Sequence, residues 1–169
     1  MHEHEMIDQQ LREFEKNDSD NWQALIFNLR KHFDGWSHIY LNYFWKHMKL
    51  SHLPVIFNIS VDGSSVSEIA RKLNHPKQSV SRTIKELENL GFVHSCTSPV
   101  DKRIEVLTLT GLGKDFIIEA KGVTYRTNEI YKELVGEDDL RTATQVIMKI
   151  IGFYESNNDR IMDVSKKLS

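Results

Sequence analysis

The fold of this chain is decided by residues 64–93, which read SSVSEIARKLNHPKQSVSRTIKELENLGFV. Ser65 followed by Glu68 is a capping-box pattern, and the apolar residues behind it keep helical spacing. The break that follows contains Pro76, which fits the first position of a second helix. This stretch therefore predicts two short helices joined by a tight turn.

The second of these helices has a single apolar face. Val80, Ile84 and Leu87 are three or four residues apart and are expected to face inward. Gly91 fits a left-handed stop for the helix. Polar side chains occupy most of the other positions in the first turns of this helix, so the helix is expected to present a polar face to solvent.

The residues after Gly91 change from helical to extended patterning. Phe92 and Val93 begin a short extended run, and residues 98–101 read as a turn. Residues 104–109 are rich in β-branched side chains, which favour a second strand. Helix, turn, helix and two-stranded hairpin in this order predict a winged helix-turn-helix.

Long helices are predicted on both sides of this unit. Residues 21–48 contain no proline and repeat apolar side chains at helical spacing, and a shorter helix is expected over residues 5–16. Thr110 is expected to cap a helix that extends to about Val135. Gly136 and the acidic triplet after it then separate that helix from the last one.

The last helix carries a heptad-like apolar seam. A helix this long has little core of its own chain left to cover, so we favour a seam shared between two chains over packing within one domain. The sequence therefore predicts a homodimer. The seam consists of Leu140, Ala143, Ile147, Ile150, Tyr154, Asn157, Ile161, Val164 and Leu168.

The predicted fold class is mainly α with a small β-hairpin wing. It is a winged helix-turn-helix flanked by N- and C-terminal dimerisation helices. We assign residues 1–48 to an N-terminal helical dimerisation and linker region and residues 49–110 to the winged helix-turn-helix. Residues 111–169 then form a C-terminal helical dimerisation region.

Charge is unevenly distributed along the chain. The whole sequence has a formal net charge of −2. Between residues 64 and 103, seven Lys and Arg residues stand against four Asp and Glu residues, so this segment is +3. A locally basic segment in an acidic chain suits a contact surface for phosphates.

The N-terminal half of the second short helix supplies candidate contacts to a nucleic acid. The major groove admits an α-helix, and its base edges present distinct patterns of donors and acceptors. Gln78 suits adenine, and Arg82 suits guanine or phosphate. An ordinary solvated helix face is the alternative. The other candidates on this helix are Lys77, Ser79, Ser81 and Lys85.

Residues 64–114 resemble the MarR family of bacterial regulators. Three stretches carry the resemblance in the family's order, namely SVSEIARKLN, KQSVSRTIKELENLGFV and DKRIEVLTLTGLGK. The tripeptide at 101–103 matches the D-x-R signature of the wing, and residues 109–113 match the L-T-x-x-G junction between strand and helix. Pro76 departs from the family pattern, in which a capping serine or aspartate is more usual.

The resemblance implies a dimeric regulator of transcription that binds a pseudo-palindromic operator in double-stranded DNA. It implies that Arg103 reaches from the wing into the minor groove and that Asp101 holds the wing in shape, with Lys102 as a further contact. A surface ion pair between Arg103 and Asp101 is the alternative, and both interpretations can hold at once. We expect a repressor whose DNA affinity is modulated by a small aromatic effector.

The aromatic side chains of the first long helix leave two interpretations open. Packing in the core and the dimer is the one that we favour for most of them. MarR-like proteins also often bind small effectors between their dimer and DNA-binding parts, so a pocket for a phenolic or aromatic ligand is the second interpretation. Its candidate walls are Trp36, Tyr40, Phe44, Phe57 and Phe116.

Other classes of function have little support in the sequence. An enzyme is not expected, because no phosphate-cradling loop and no supported Ser/His/Asp arrangement occurs. The eight histidines lack convincing ligand spacing, so no metal and no cofactor is expected. The runner-up function is a protein-interaction module that retains the winged-helix fold without specific DNA readout.

The cellular setting is predicted from cysteine usage and hydropathy. Cys96 is the single cysteine, which excludes an intramolecular disulfide, and its expected place is a buried or half-buried strand position. No apolar run approaches the ~20 residues that a membrane span needs, and the N-terminus lacks the features of a secretory signal. A cytoplasmic protein without membrane contacts is therefore expected.

Overall fold

The computed structural model describes residues 2–17, 21–97 and 105–156. The chain forms two compact units, Met1–Lys114 and Asp115–Ser169. Its elements, in chain order, are α1 (His2–Asn17), α2 (Trp22–Phe44), a 3₁₀ helix (Leu50–His52), α3 (Leu53–Ile56), β1 (Ser64–Ser65), α4 (Val66–Leu73), α5 (Lys77–Asn89), β2 (Val93–Thr97), β3 (Glu105–Leu109), α6 (Gly111–Val135) and α7 (Glu137–Ser156).

A three-stranded antiparallel sheet lies beside the short helices. The strand order is β1–β3–β2, with Val93 opposite Leu109 and Ser64 opposite Leu107. The predicted hairpin of β2 and β3 is confirmed. The strand β1 was not predicted, because two residues are too few to show the alternation that identifies a strand.

The capping box predicted at the start of α4 is present. The Ser65 hydroxyl oxygen accepts a hydrogen bond from the Glu68 backbone N–H at 3.2 Å, and the Glu68 carboxylate accepts from the Ser65 backbone N–H at 2.7 Å. The hydrogen bonds from Ser65 hold the pKa of Glu68 below its ordinary value. Asn74 ends the helix in a left-handed conformation, with φ of 51°, which asparagine tolerates better than most residues.

Helix α5 begins one residue later than predicted. Pro76 is the residue before its first turn rather than the first helical residue, with ψ of 134°. Its side chain has no oxygen for capping, but its carbonyl accepts from the N–H groups of Ser79 and Val80 at 3.0 and 3.2 Å. At the other end, Gly91 has φ of 79°, which confirms the predicted left-handed stop.

The predicted inner face of α5 is buried. Val80, Ile84 and Leu87 are at most 3% exposed, and α5 packs against α3, α4 and β2. Full burial of a side chain of this size stabilises a fold by about 1.5–3 kcal/mol. These three residues therefore fix which side of the helix is left in solvent.

Thr110 and Gly113 tie the start of α6 to the hairpin. The Thr110 hydroxyl donates to the Gly91 carbonyl at 2.6 Å and accepts from the Gly113 backbone N–H at 3.1 Å. The Phe92 carbonyl accepts from the Thr110 backbone N–H at 3.1 Å, and a Cβ at Gly113 would overlap that same carbonyl oxygen. The predicted cap at Thr110 is confirmed, and glycine is required by the close approach.

The first long helix, α2, ends four residues before the predicted boundary. Met48 is buried outside the helix, so apolar spacing continued past its end and extended the prediction. Asn21 caps the start, its side chain accepting from two backbone N–H groups. Leu41 is the buried residue of α2. Its large apolar side chains with exposed surface include Trp22, Leu25, Phe27, Phe33, Trp36, Ile39 and Phe44.

In the second unit, α7 follows α6 after Gly136, whose φ of 85° confirms the predicted break. No residue of α7 is buried among Glu137–Ser156. The seam members within α7 are exposed or half-buried, and they are Leu140, Ala143, Ile147, Ile150 and Tyr154. The remaining members lie outside the described residues, and they are Asn157, Ile161, Val164 and Leu168.

Candidate nucleic-acid interface

Helix α5 presents the predicted contact residues on its solvent side. Its core side is set by the three buried residues described above. Because side chains three and four positions apart share one helix face, the residues between the buried positions point outward. Lys77, Gln78, Ser79, Arg82 and Lys85 are exposed, and Ser81 is half-buried.

Five of these six residues line one groove along α5. Its positive charges come from two lysines and an arginine, and its negative charge comes from Glu86. Amide and hydroxyl groups complete the surface, and such groups pair with phosphates and base edges. The residues that line the groove are Lys77, Gln78, Ser81, Arg82, Lys85, Glu86 and Asn89.

Ser79 lies on a different side of α5. It lines a cavity of about 390 Å³ in the first unit, together with Val80 and Thr83 of the same helix. Arg30 and Asp34 of α2 line the same cavity and form an ion pair at 3.4 Å. Of the six predicted helix residues, Ser79 is therefore the one that the structure separates from the others.

Glu86 is held by two residues that sequence patterning did not associate with it. Its Oε2 atom accepts from Lys49 Nζ at 2.6 Å and from His52 Nε2 at 3.0 Å. The His52 side chain is 1% exposed, and its Nδ1 atom accepts from the Lys49 backbone N–H at 3.2 Å. With Nδ1 as an acceptor, the neutral ring carries its proton on Nε2 and donates it to Glu86.

These contacts determine the charge state of Glu86. The hydrogen bonds from Lys49 and then His52 hold the pKa of its carboxyl well below the usual range, at about 2. On the other side, Arg82 Nε lies 3.6 Å from Glu86 Oε1. The carboxylate is therefore ionised at neutral pH and lies between two cations.

The wing residues of the predicted site lie outside the described residues. These are Asp101, Lys102 and Arg103, and the two strands that precede and follow them end at Thr97 and begin at Glu105. Their contact with DNA stays a prediction.

The predicted aromatic pocket is placed only in part. Trp36 and Tyr40 stack with ring centroids 5.8 Å apart, and Tyr40 and Phe44 follow at 5.1 Å, so three rings form a row along α2. Phe57 is 41% exposed in the first unit, whereas Phe116 is fully buried and belongs to the second. The effector pocket stays a prediction.

Cys96 is exposed, so the prediction of a buried or half-buried thiol is wrong. Successive side chains of a strand point to opposite faces. In β2, Val93 is buried and Ser95 half-buried, which directs His94 and Cys96 to solvent.

Neither a metal-binding cluster nor a membrane-spanning helix occurs within residues 2–17, 21–97 and 105–156. No group of three or more His, Cys, Asp and Glu side chains there could hold a metal ion. None of the helices in these ranges is both long enough and apolar enough to cross a membrane.

The segment that contains α5 is similar to a known protein family. Residues 48–104 match the model of the MarR family. A comparison with curated proteins found no significant match.

Solved structures share the fold. The transcriptional regulator SlyA superposes with a TM-score of 0.70 at 16% identity, covering 83% of this chain and 99% of its own. FabT of Streptococcus pneumoniae, solved in complex with DNA, gives 0.67 at 17% identity, with 80% and 99% covered. The S. aureus MepR–DNA complex gives 0.63 at 15% identity, with 77% and 96% covered.

Proposed function

Residues 48–104 match the model of the MarR family, and from this match we propose that the chain is a member of that family and regulates transcription by binding double-stranded DNA sequence-specifically. The observation that carries the proposal is the solvent side of α5, where cationic and amide side chains line one groove. The opposite side of the same helix is buried, so the helix can insert into a duplex without loss of its packing.

The dimensions of α5 fit the major groove. The helix has 13 residues, which at 1.5 Å rise per residue is a rod about 20 Å long. With side chains it is ~10–12 Å across, comparable to the ~12 Å width of the major groove. Gln78 would then face adenine edges, and Lys77 and Lys85 would contact phosphates at either end. Two of the matched solved structures, of FabT and MepR, contain DNA.

A second copy of the chain is the proposed partner. We assign residues 1–48 and 111–169 to dimerisation, because both contain helices with apolar side chains in solvent. In α7, Ile147, Ile151 and Phe153 are 39%, 43% and 49% exposed. Apolar surface of this kind on a single chain marks an interaction site. Two-fold symmetry then requires a pseudo-palindromic operator with half-sites about one helical turn, ~10 bp, apart.

Repression is the proposed outcome of binding, because a dimer seated on a promoter would exclude the polymerase. We further propose that a small phenolic or aromatic ligand shifts the two DNA-binding lobes out of register. The support for this ligand is the row of rings along α2, where Trp36 and Phe44 are 51% and 60% exposed. Titration of the DNA complex with phenolic acids, followed by anisotropy, tests it.

The experiment that tests the proposal is selection of bound duplexes from a random pool, followed by titration of the selected site. Gln78→Ala is expected to relax preference at one base position in each half-site, by roughly 1–3 kcal/mol of discrimination. Gln145→Ala is the matched control, because Gln145 is an exposed glutamine of α7. Selection of no preferred sequence would instead support the protein-interaction module.

The wing is tested separately from the helix. Arg103→Ala is expected to weaken binding to many sequences alike and to reduce the slope of log affinity against log salt by about one. Such a result follows if Arg103 supplies a cation to the minor groove, which distinguishes mainly A·T from G·C pairs. Unchanged affinity would mean that the wing does not touch DNA.

A further inference from the structure

Glu86 is the acidic residue of the groove on α5. The charged residues that share the groove with it are Lys77, Arg82 and Lys85. On the proposed function this surface approaches phosphates, and a carboxylate there opposes binding by repulsion. If Glu86 contributes to DNA recognition, its contribution must therefore offset this repulsion.

One oxygen of Glu86 is fixed from outside α5. Lys49 Nζ and His52 Nε2 both bond Oε2, and the buried His52 ring is itself fixed by the Lys49 backbone N–H. The residues between α2 and α3 thus hold the carboxylate in place before any ligand binds. The side chain has already lost its rotamer freedom in the free protein.

The other oxygen faces Arg82. Oε1 lies 3.6 Å from Nε of this arginine, whose side chain is 86% exposed and lies one helical turn nearer the N-terminus. Exposed ion pairs of this spacing are ordinarily weak, because both side chains must be ordered. Here Glu86 is ordered in advance, and a bound duplex would exclude water from the pair and strengthen it.

The contact through Nε leaves the rest of the guanidinium available. An arginine has five N–H donors in one plane, so with Nε engaged the two terminal nitrogens can still bind guanine O6 and N7 in a bidentate manner. An ion pair at Nε restricts the plane and the direction of the guanidinium. A free guanidinium samples phosphates and base edges alike.

We propose that Glu86 is a positioning residue that orients Arg82 toward a base edge, so that it lowers affinity for any duplex and raises discrimination between sequences. The proposal rests on the proposed function. Lys49 contributes to the same positioning, because it neutralises the Glu86 carboxylate and fixes its direction.

The test compares Glu86→Gln with Glu88→Gln, which removes the same charge from the same helix at a residue outside the groove. Binding is measured by fluorescence anisotropy on the selected duplex, its single-base variants and random duplex. The base read by Arg82 is first identified as the position at which Arg82→Ala loses its preference. At that base, Glu86→Gln is expected to reduce discrimination about tenfold. Its affinity for random duplex is expected to rise, with a salt slope steeper by about one.

The control variant is expected to leave discrimination unchanged. A merely structural role for Glu86 would lower affinity for every duplex and would not raise binding to random sequence. The position of the loss decides between the two roles. Glu86→Gln is expected to reduce discrimination at the base read by Arg82 and to leave the bases that Arg82→Ala does not affect unchanged. Equal losses at all bases, or no loss at the Arg82 base, would overturn the proposal.

A substitution at Lys49 tests the positioning of Arg82 by Glu86 without altering Glu86. Lys49→Met is expected to reduce discrimination at the Arg82 base about threefold, roughly half the effect in free energy. Lys46→Met, an exposed lysine of the same segment, is its control and is expected to leave that base unaffected. Unchanged discrimination in Lys49→Met overturns the proposal even if Glu86→Gln does not fold. If the wild-type protein selects no sequence, the proposed function is wrong. If the wild type is selective and Glu86→Gln keeps its discrimination at the Arg82 base, only the inference about Glu86 is wrong.

Discussion

The short helices around α5 and the long helix α7 are both amphipathic, but they differ in where their apolar residues lie. Ile56, Ile69 and Leu87, in three different short helices, are fully buried. In α7 no residue is buried, and Phe153 is 49% exposed. Short helices that cross one another beside a small sheet close a core within one chain. The long helix α7 instead keeps an apolar face in solvent, which the proposed dimer would cover.

The largest expected effect comes from placing charges on the apolar face of α7. If the proposed dimer forms, Ile147→Asp combined with Ile150→Asp is expected to convert it to monomers or unfolded protein, because each change buries a charge in the proposed apolar seam. Sedimentation velocity at micromolar concentration measures the change. Gln145→Asp, an exposed position off the seam, is the control and is expected to leave the dimer intact. A wild-type monomer at that concentration would show that the seam is not shared between chains.

The next effect compares the same substitution in the core of the short helices and in α6, the long helix that precedes α7. Leu87 is 0% exposed and Leu134 of α6 is 77% exposed. Leu87→Ala is expected to reduce the free energy of unfolding by about 2–5 kcal/mol, because it leaves a cavity in a closed core. Leu134→Ala is expected to change it by less than about 0.5 kcal/mol. Urea unfolding at equal protein concentration gives both values. Equal losses would place Leu134 in an interface.

The smallest expected effect comes from removing the N-terminal caps of a short helix, α4, and of a long helix, α2. Ser65→Ala removes a reciprocated cap in the closed core and is expected to reduce the free energy of unfolding by about 1 kcal/mol. Asn21→Ala removes the side-chain cap of α2, whose oxygen accepts from the backbone N–H groups of Gln23 and Ala24 at 3.0 and 3.4 Å, and we expect about 0.5 kcal/mol, the low end for such caps. Thermal unfolding followed by circular dichroism distinguishes the two. A larger effect at Asn21 would mean that the start of α2 is more firmly packed than that of α4.

The elements that the sequence predicted well are those with local signals. The capping box at Ser65, the left-handed Gly91 and the cap at Thr110 each depend on residues within a few positions of one another. Caps and left-handed stops are set by backbone geometry, which the neighbouring side chains determine. The predicted end of α2 was wrong by four residues, because the apolar spacing continues to the buried Met48 although the helix ends at Phe44.

The part of the candidate site that could not be predicted depends on distant residues. Lys49 and His52 lie 37 and 34 positions from Glu86, and no periodicity connects them. From the sequence, Glu86 counted only as one acidic charge in a basic segment. Ser79 was grouped with its neighbours on α5, although the helix rotation turns it toward a cavity. Side-chain pairing across elements requires the packed structure.

The division of α5 into a buried side and a groove side has a consequence for how such a protein can be altered. Residues that keep the helix folded are separate from residues that meet the ligand, so the second set can change while the first stays constant. New target preferences can therefore arise through a few exposed positions, in divergence or in a designed library. Glu86 is the exception, because it belongs to both sets. A library that varies it should vary Lys49 and His52 with it.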